Sequence, residues 1–210
     1  LSIQGTQSST IDNVIVSGNA KGIEVITASP TFTNVTISNH TTDQNGGGIY
    51  SENSTLTIEN SIIDNNTSSG KGGSIYCRDN SILTINNTTI SNNTSYDNGG
   101  GVFQHGGEAS FFNCIFQNNH SNHGGGLMTE SVSPVISQSI FKGNSCNERG
   151  SAIDVYGNGD YIISNSIFVQ NIKAPNQSGE ASVVFMDQYP NNYTPSISMY
   201  NSILWDNDIP

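Results

Sequence analysis

Positive charge is scarce in this chain: six Lys+Arg stand against 17 Asp+Glu, giving a formal net charge of -11. Such a surface repels phosphate backbones, so nucleic acid is excluded as an expected partner. Long apolar runs are also missing, so this segment is not expected to insert into a membrane. No basic-then-apolar leader opens the sequence. The three cysteines, Cys77, Cys114 and Cys146, have no metal-ligand spacing and are odd in number. They are expected as buried free thiols standing in for Ser or Val, with a single bridge left open for an oxidising compartment. No stretch keeps a helical period. Apolar residues make up only 33% of the chain, which alongside so much Ser, Asn and Gly would indicate disorder if those residues were not regularly placed.

That regularity is a repeat. The hydrophobic residue after each glycine cluster falls at Ile23, Ile49, Ile75, Val102, Leu127 and Ile153, at intervals of 26, 26, 27, 25 and 26 residues. A second phrase, written NVTISNH, NSIIDNN, NTTISNN, NCIFQNN and NSIFVQN, keeps the same step. It opens at Asn13, Asn34, Asn60, Asn87, Asn113, Gln138, Asn165 and Asn201. It closes at Asn19, His40, Asn66, Asn93, Asn119, Asn144, Asn171 and Asn207. Short β-branched and aromatic segments after the glycines, before the first Asn and between the two Asn columns predict three strands per repeat. Stacked on like neighbours, these units form an all-β, right-handed parallel β-helix solenoid of about eight coils, a single domain over 1–210. Coils lie about 4.8 Å apart, so both Asn columns are expected to form side-chain ladders at the turns. Ile58, Ile85, Phe111, Ile136 and Ile163 should make one inward stack. Val16, Ile37, Ile63, Ile90, Phe116, Phe141, Phe168 and Leu204 should make another. The interval from Asn165 to Asn201 is 36 residues, which puts longer loops within 172–199. No amphipathic capping helix is legible at either end. The expectation is therefore a piece of a longer solenoid, joined to further coils or to itself end to end.

The phrases GGGI, GGSI, GGGV, GGGL and GSAI alternate with FQNN, FKGN and FVQN and with the aliphatic IDNN, ISNN and LWDN. They resemble the paired Gly-Gly-Ala-(Ile/Leu/Val) and Phe-x-x-Asn tetrads of the polymorphic membrane protein family, surface-exposed bacterial β-helix passengers within a wider pectin-lyase-like group. The resemblance covers essentially the whole chain, with Gly or Ser replacing the family's Ala in most copies. It implies secretion, display at the cell surface or outside the cell, and adhesion.

If Ile49 and Ser51 point inward, alternate residues of the strand after the glycines form two outward columns. One is Glu24, Tyr50, Tyr76, Phe103, Met128, Asp154 and Phe185; the other is Ile26, Glu52, Arg78, His105, Glu130, Tyr156 and Asp187. Rings beside carboxylates and amides suit a glycan, or a surface protein, so Tyr50, Glu52, Tyr76, Arg78, Phe103, His105, Met128, Glu130 and Tyr156 are the candidate binding face. The same pattern also arises where stacked rings merely hold neighbouring strands together. β-Helix polysaccharide lyases, which the chain resembles in fold, use this face as a groove. On that reading Arg78 would be the base, and Ca²⁺ could sit on Glu52, Asp79, Asp97 or Glu130. No other cofactor is implied. Glu52 and Glu130 stand three coils apart, roughly 14 Å at the strand spacing, too far for a glycosidase pair. His105, His120 and His123 lack regular metal-ligand spacing and read as solvated histidines. Sequons at Asn34, Asn53 and Asn192 are expected by chance in such a composition, and those in the Asn columns should be buried. The leading expectation is a non-catalytic adhesive or structural stalk. Two alternatives remain, a carbohydrate-active enzyme and a filament subunit.

Overall fold

A computed structural model describes residues 1–6, 8–175, 182–187 and 195–207. The chain winds as a parallel β-helix with no α-helix among these residues. One coil shows the plan: Ile49–Glu52, Thr55–Glu59, Ile62–Asp64 and Thr67–Ser68 are successive strands, each pairing with its equivalent one coil away. These define sheets I to IV in chain order. Among the described residues, sheets I, II and III each hold eight strands and sheet IV holds six, all parallel. Three strands per coil were expected. The fourth is a two- to five-residue strand after the second Asn, too short and too Ser/Thr-rich to register as a separate apolar run. The longer loops expected within 172–199 fall largely outside the described residues.

Each corner of the coil turns through a left-handed residue. Between sheets II and III these are Asn13, Asn34, Asn60, Asn87, Asn113, Gln138, Asn165 and Asn201, with φ between 47° and 55°. Asn adopts this conformation more readily than other side-chain-bearing residues. Between sheets IV and I the glycines serve. A Cβ on Gly100 would fall on the carbonyl oxygens of His120 and Gly125, because adjacent coils approach through their backbones there.

The two Asn columns differ from each other, and only one is a buried ladder. The column from Asn13 to Asn201 is exposed, with scattered amide contacts such as Asn113 Nδ2 to Asn87 Oδ1 at 2.9 Å. Its sequon at Asn34 is accordingly exposed, contrary to expectation, as is Asn53; Asn192 lies outside the described residues. In the other column Asn66, Asn93, Asn119, Asn144 and Asn171 are fully buried. Each donates its backbone N–H and its Nδ2 to the Oδ1 of the next, at 2.9–3.1 Å, ending on Asn207. The second Nδ2 proton goes back to a sheet III carbonyl, as from Asn93 to Ile63 at 3.1 Å. Asn19 is exposed, and a buried histidine, His40, takes the position between it and Asn66.

The inward stacks lie where the pattern put them. Phe32, Ile58, Ile85, Phe111, Ile136 and Ile163 pair in register and are buried. Phe116 and Phe141 stack with centroids 4.5 Å apart, and Phe141 and Phe168 at 5.0 Å. Leu204 continues that column on the last rung but is half exposed. All three cysteines are buried and free. Cys77 pairs with Ser51, Cys146 with Ser121, and Cys114 fills the column whose next member is Ser139.

Candidate functional site

Sheet I carries the candidate face, and its two outward columns are in register. Tyr50, Tyr76, Phe103, Met128, Asp154 and Phe185 are consecutive partners, and Arg78 pairs with Glu52 as His105, Glu130, Tyr156 and Asp187 pair in sequence. The ring column is not an open platform, however. Phe103 is fully buried, while Tyr76 and Met128 are nearly so; with Tyr50 and Tyr156 at their edges they form a second small apolar core. The reason is the turn from sheet IV to sheet I. The left-handed Gly99 closes tightly against the start of the sheet I strand, so that a Cβ there would meet Val102 O at 2.6 Å and the Phe103 Cβ at 2.8 Å. Lys71 closes the same ring from the preceding coil, with Nζ 4.5 Å from its centroid. Tyr50, Tyr76 and Phe103 stack on one another at 5.6 and 5.5 Å, which supplies the strand-to-strand stabilisation that pairs of this kind give.

What remains accessible is a pair of grooves between sheet I and the turns from sheet IV. One, of 510 Å³, is lined by Lys21, Glu24, Asp43, Asn45, Tyr50 and Glu52, among others. The other, of 380 Å³, is lined by Lys71, Asn98, His123, Met128, Glu130, Arg149 and Tyr156. The turn residues among these were missed by the sequence reading. Their signal was the recurrent polar text DQN, SSGK, YDN and NERG just before each glycine cluster.

A family model described as "Right handed beta helix region" matches residues 1–131. The chain belongs to this right-handed β-helix family. Comparison with curated proteins and with solved structures gave no match.

On the grooved flank of this β-helix, charges are held in pairs. Lys21 Nζ meets Glu24 at 2.9 Å, Arg78 Nε meets Asp79 at 2.7 Å, and Lys71 Nζ lies 3.8 Å from Glu130. Tyr50 donates its hydroxyl to Glu52, and burial together with that bond pushes the phenol up to about 12. The hydrogen bond from Arg78 to Asp79 raises the guanidinium further above its already high value. Arg149 bridges Asp154 Oδ2 at 3.1 Å and Asp187 Oδ2 at 2.8 Å, with Phe185 4.8 Å from its guanidinium carbon. Asp154 is fully buried and its Oδ1 has no hydrogen-bond partner. Burial pushes its carboxyl up to about 6, against the pull of Arg149. The histidines do not converge on one centre. His105 is exposed on sheet I, His120 Nδ1 contacts Ser145 Oγ at 2.9 Å, and His123 Nε2 contacts Glu148 at 2.9 Å. Burial lowers the pKa of His120. Among the described residues no three His, Cys, Asp or Glu gather as a metal site, and Glu52, Asp79, Asp97 and Glu130 are not brought together as one cluster.

Proposed function

We propose that this β-helix is a non-catalytic binding module of a secreted or cell-surface protein. Its sheet I flank takes a neutral, hydroxyl-rich glycan, laid along the coil axis in the two grooves. The observation that carries the reading is the pairing of charge there. Lys21, Lys71, Arg78 and Arg149 each lie against a carboxylate. A groove built this way offers fixed N–H donors and oxygen acceptors to sugar hydroxyls. It has little uncompensated positive charge for a uronate, and the net charge of -11 adds repulsion. A rigid stack whose ladder bonds are buried suits a spacer that holds such a groove away from a surface.

The polysaccharide lyase reading loses support at Arg78. A base must give up its proton before it can take one, and Arg78 is held protonated against Asp79. The repeat and its family resemblance support the surface location. Titration calorimetry with neutral and uronate oligosaccharides tests the proposal. Binding of a neutral glycan that weakens at least tenfold in Glu52→Gln and Tyr50→Ala is the expected result. Uronate-only binding, or release of unsaturated uronate with or without Ca²⁺, would overturn it.

A further inference from the structure

Asparagine followed by glycine is chemically labile. The glycine backbone nitrogen attacks the side-chain amide carbon, and no Cβ on the attacking residue obstructs the five-membered ring that forms. The dipeptide occurs three times in this chain, as Asn45–Gly46, Asn98–Gly99 and Asn158–Gly159. The fold treats the three differently.

Asn45 and Asn98 belong to the turns from sheet IV into sheet I, where they line the two grooves. Both are half-buried, and in both pairs the attacking nitrogen is occupied. The Gly46 N–H donates to Lys71 O at 2.9 Å, and Asn45 Oδ1 accepts the backbone N–H of that same residue at 2.8 Å. The Gly99 N–H donates to His123 O at 2.8 Å, while Asn98 O accepts from Gly72 at 2.9 Å. To close the ring, the nitrogen must shed its proton and turn toward its own Asn side chain. Neither movement is open to it while the neighbouring coil holds the N–H.

Asn158–Gly159 lies at the other end of a sheet I strand, in the turn between Ile153–Tyr156 and Asp160–Ser164. Asn158 is exposed between two glycines, and the chain bends here through the left-handed Gly157, φ 79°. Gly159 bonds through its carbonyl, which accepts from Ser196 at 3.3 Å, and among the described residues nothing accepts its N–H.

We propose that Asn158 is a self-modification site that converts to isoaspartate and aspartate in the folded protein, while the fold protects Asn45 and Asn98 in the grooves. Hydroxide takes the proton of Gly159 N, which bonds to Asn158 Cγ. The Cγ–Nδ2 bond breaks, and Nδ2 leaves as ammonia after taking a proton from water. Water then opens the succinimide at one carbonyl to give aspartate or at the other to give isoaspartate. Net, one water is consumed and one ammonia is released, with no change of oxidation state. Each conversion adds one negative charge to the turn, and the isoaspartyl product lengthens the backbone between Tyr156 and Asp160. The turn therefore carries a slow, irreversible mark of the protein's age. The assignment stands whether or not the grooves take a glycan.

The test incubates the native protein and the protein unfolded in guanidinium at pH 8, then digests both at mildly acidic pH. Mass spectrometry reads the amide-to-acid mass gain at each asparagine, and fragmentation separates isoaspartate from aspartate. Asn158 should convert at a similar rate in both states. Asn45 and Asn98 should convert at least about tenfold more slowly in the native protein than in the unfolded one, because their coils must first open locally. Isoaspartate should be present among the Asn158 products. Asn158→Gln, whose ring would need six members, should remove the native-state product. Folding that protects Asn158 as strongly as it protects Asn45 and Asn98 overturns the proposal. So does native conversion of the groove asparagines as fast as that of Asn158, or an Asn158 product that is aspartate alone, which marks direct hydrolysis without the ring.

Discussion

Replacing Asn93 with Ala removes a side chain that makes four buried hydrogen bonds. Asn93 Oδ1 accepts the backbone N–H of Asn66 at 2.9 Å and its Nδ2 at 3.0 Å; its own Nδ2 donates to Asn119 Oδ1 at 3.0 Å and to Ile63 O at 3.1 Å. Four buried bonds at about 1 kcal/mol each give a loss of about 4 kcal/mol. The loss is not softened by water, because the position is fully buried and two donors of Asn66 lose their acceptor. Asn113→Ala is the control. It removes one exposed bond and places a Cβ-bearing residue without a polar side chain at φ 51°, a cost of about 1 kcal/mol. Urea unfolding followed by circular dichroism measures both, alongside hydrogen exchange on the flanking coils, since a solenoid can open locally before it unfolds globally. The expected difference between the variants is about 3 kcal/mol. If they agree to within 1 kcal/mol, the buried ladder is not what holds the coils together.

Other outcomes follow from the same geometry. Gly100→Ala should unfold the central coils or lower their stability by several kcal/mol, because its Cβ would fall on two backbone oxygens, whereas Gly18→Ala, with open space around it, should be neutral in thermal melts. The thiols are pushed up by burial, Cys77 and Cys146 to about 12 and Cys114 to about 11, so a chromogenic disulfide at pH 8 should modify none of them in the native protein and all three after denaturation. Asp154 is raised to about 6 from 3.8, so the folded state holds its proton more tightly than the unfolded chain does. Its contribution is therefore present below about pH 4 and lost as pH rises through about 6, and denaturation midpoints should fall across that window in the native protein but not in Asp154→Asn.

Much of the candidate face was legible as register and little of it as accessibility. The step of about 26 residues aligns Tyr50, Tyr76 and Phe103 correctly because parallel coils must stack equivalent residues. Alternation also separates inward Ser51 and Cys77 from outward Glu52 and Arg78. Alternation cannot reveal that Lys71, from the turn of the preceding coil, closes over the Phe103 ring, because that contact depends on the path of the backbone in three dimensions. The two Asn columns look identical as text for a similar reason. Both sit at corners, but Asn113 is the left-handed residue of its corner, while Asn119 follows the left-handed Asn118 and its side chain turns inward. A shift of one residue relative to the bend separates an exposed amide from a buried one.

By itself, then, the sequence determined a one-dimensional lattice: its period, its parallel strands, its inward stacks and the low apolar content that a narrow cylinder tolerates. Those properties follow from repetition, since each unit can bury its apolar side only against a copy of itself. Tertiary structure alone decided which amides are sealed from water, which rings are covered and where the grooves open. Each of these depends on side chains from neighbouring coils meeting across a turn, and the direction of a turn is not written in the spacing of residues.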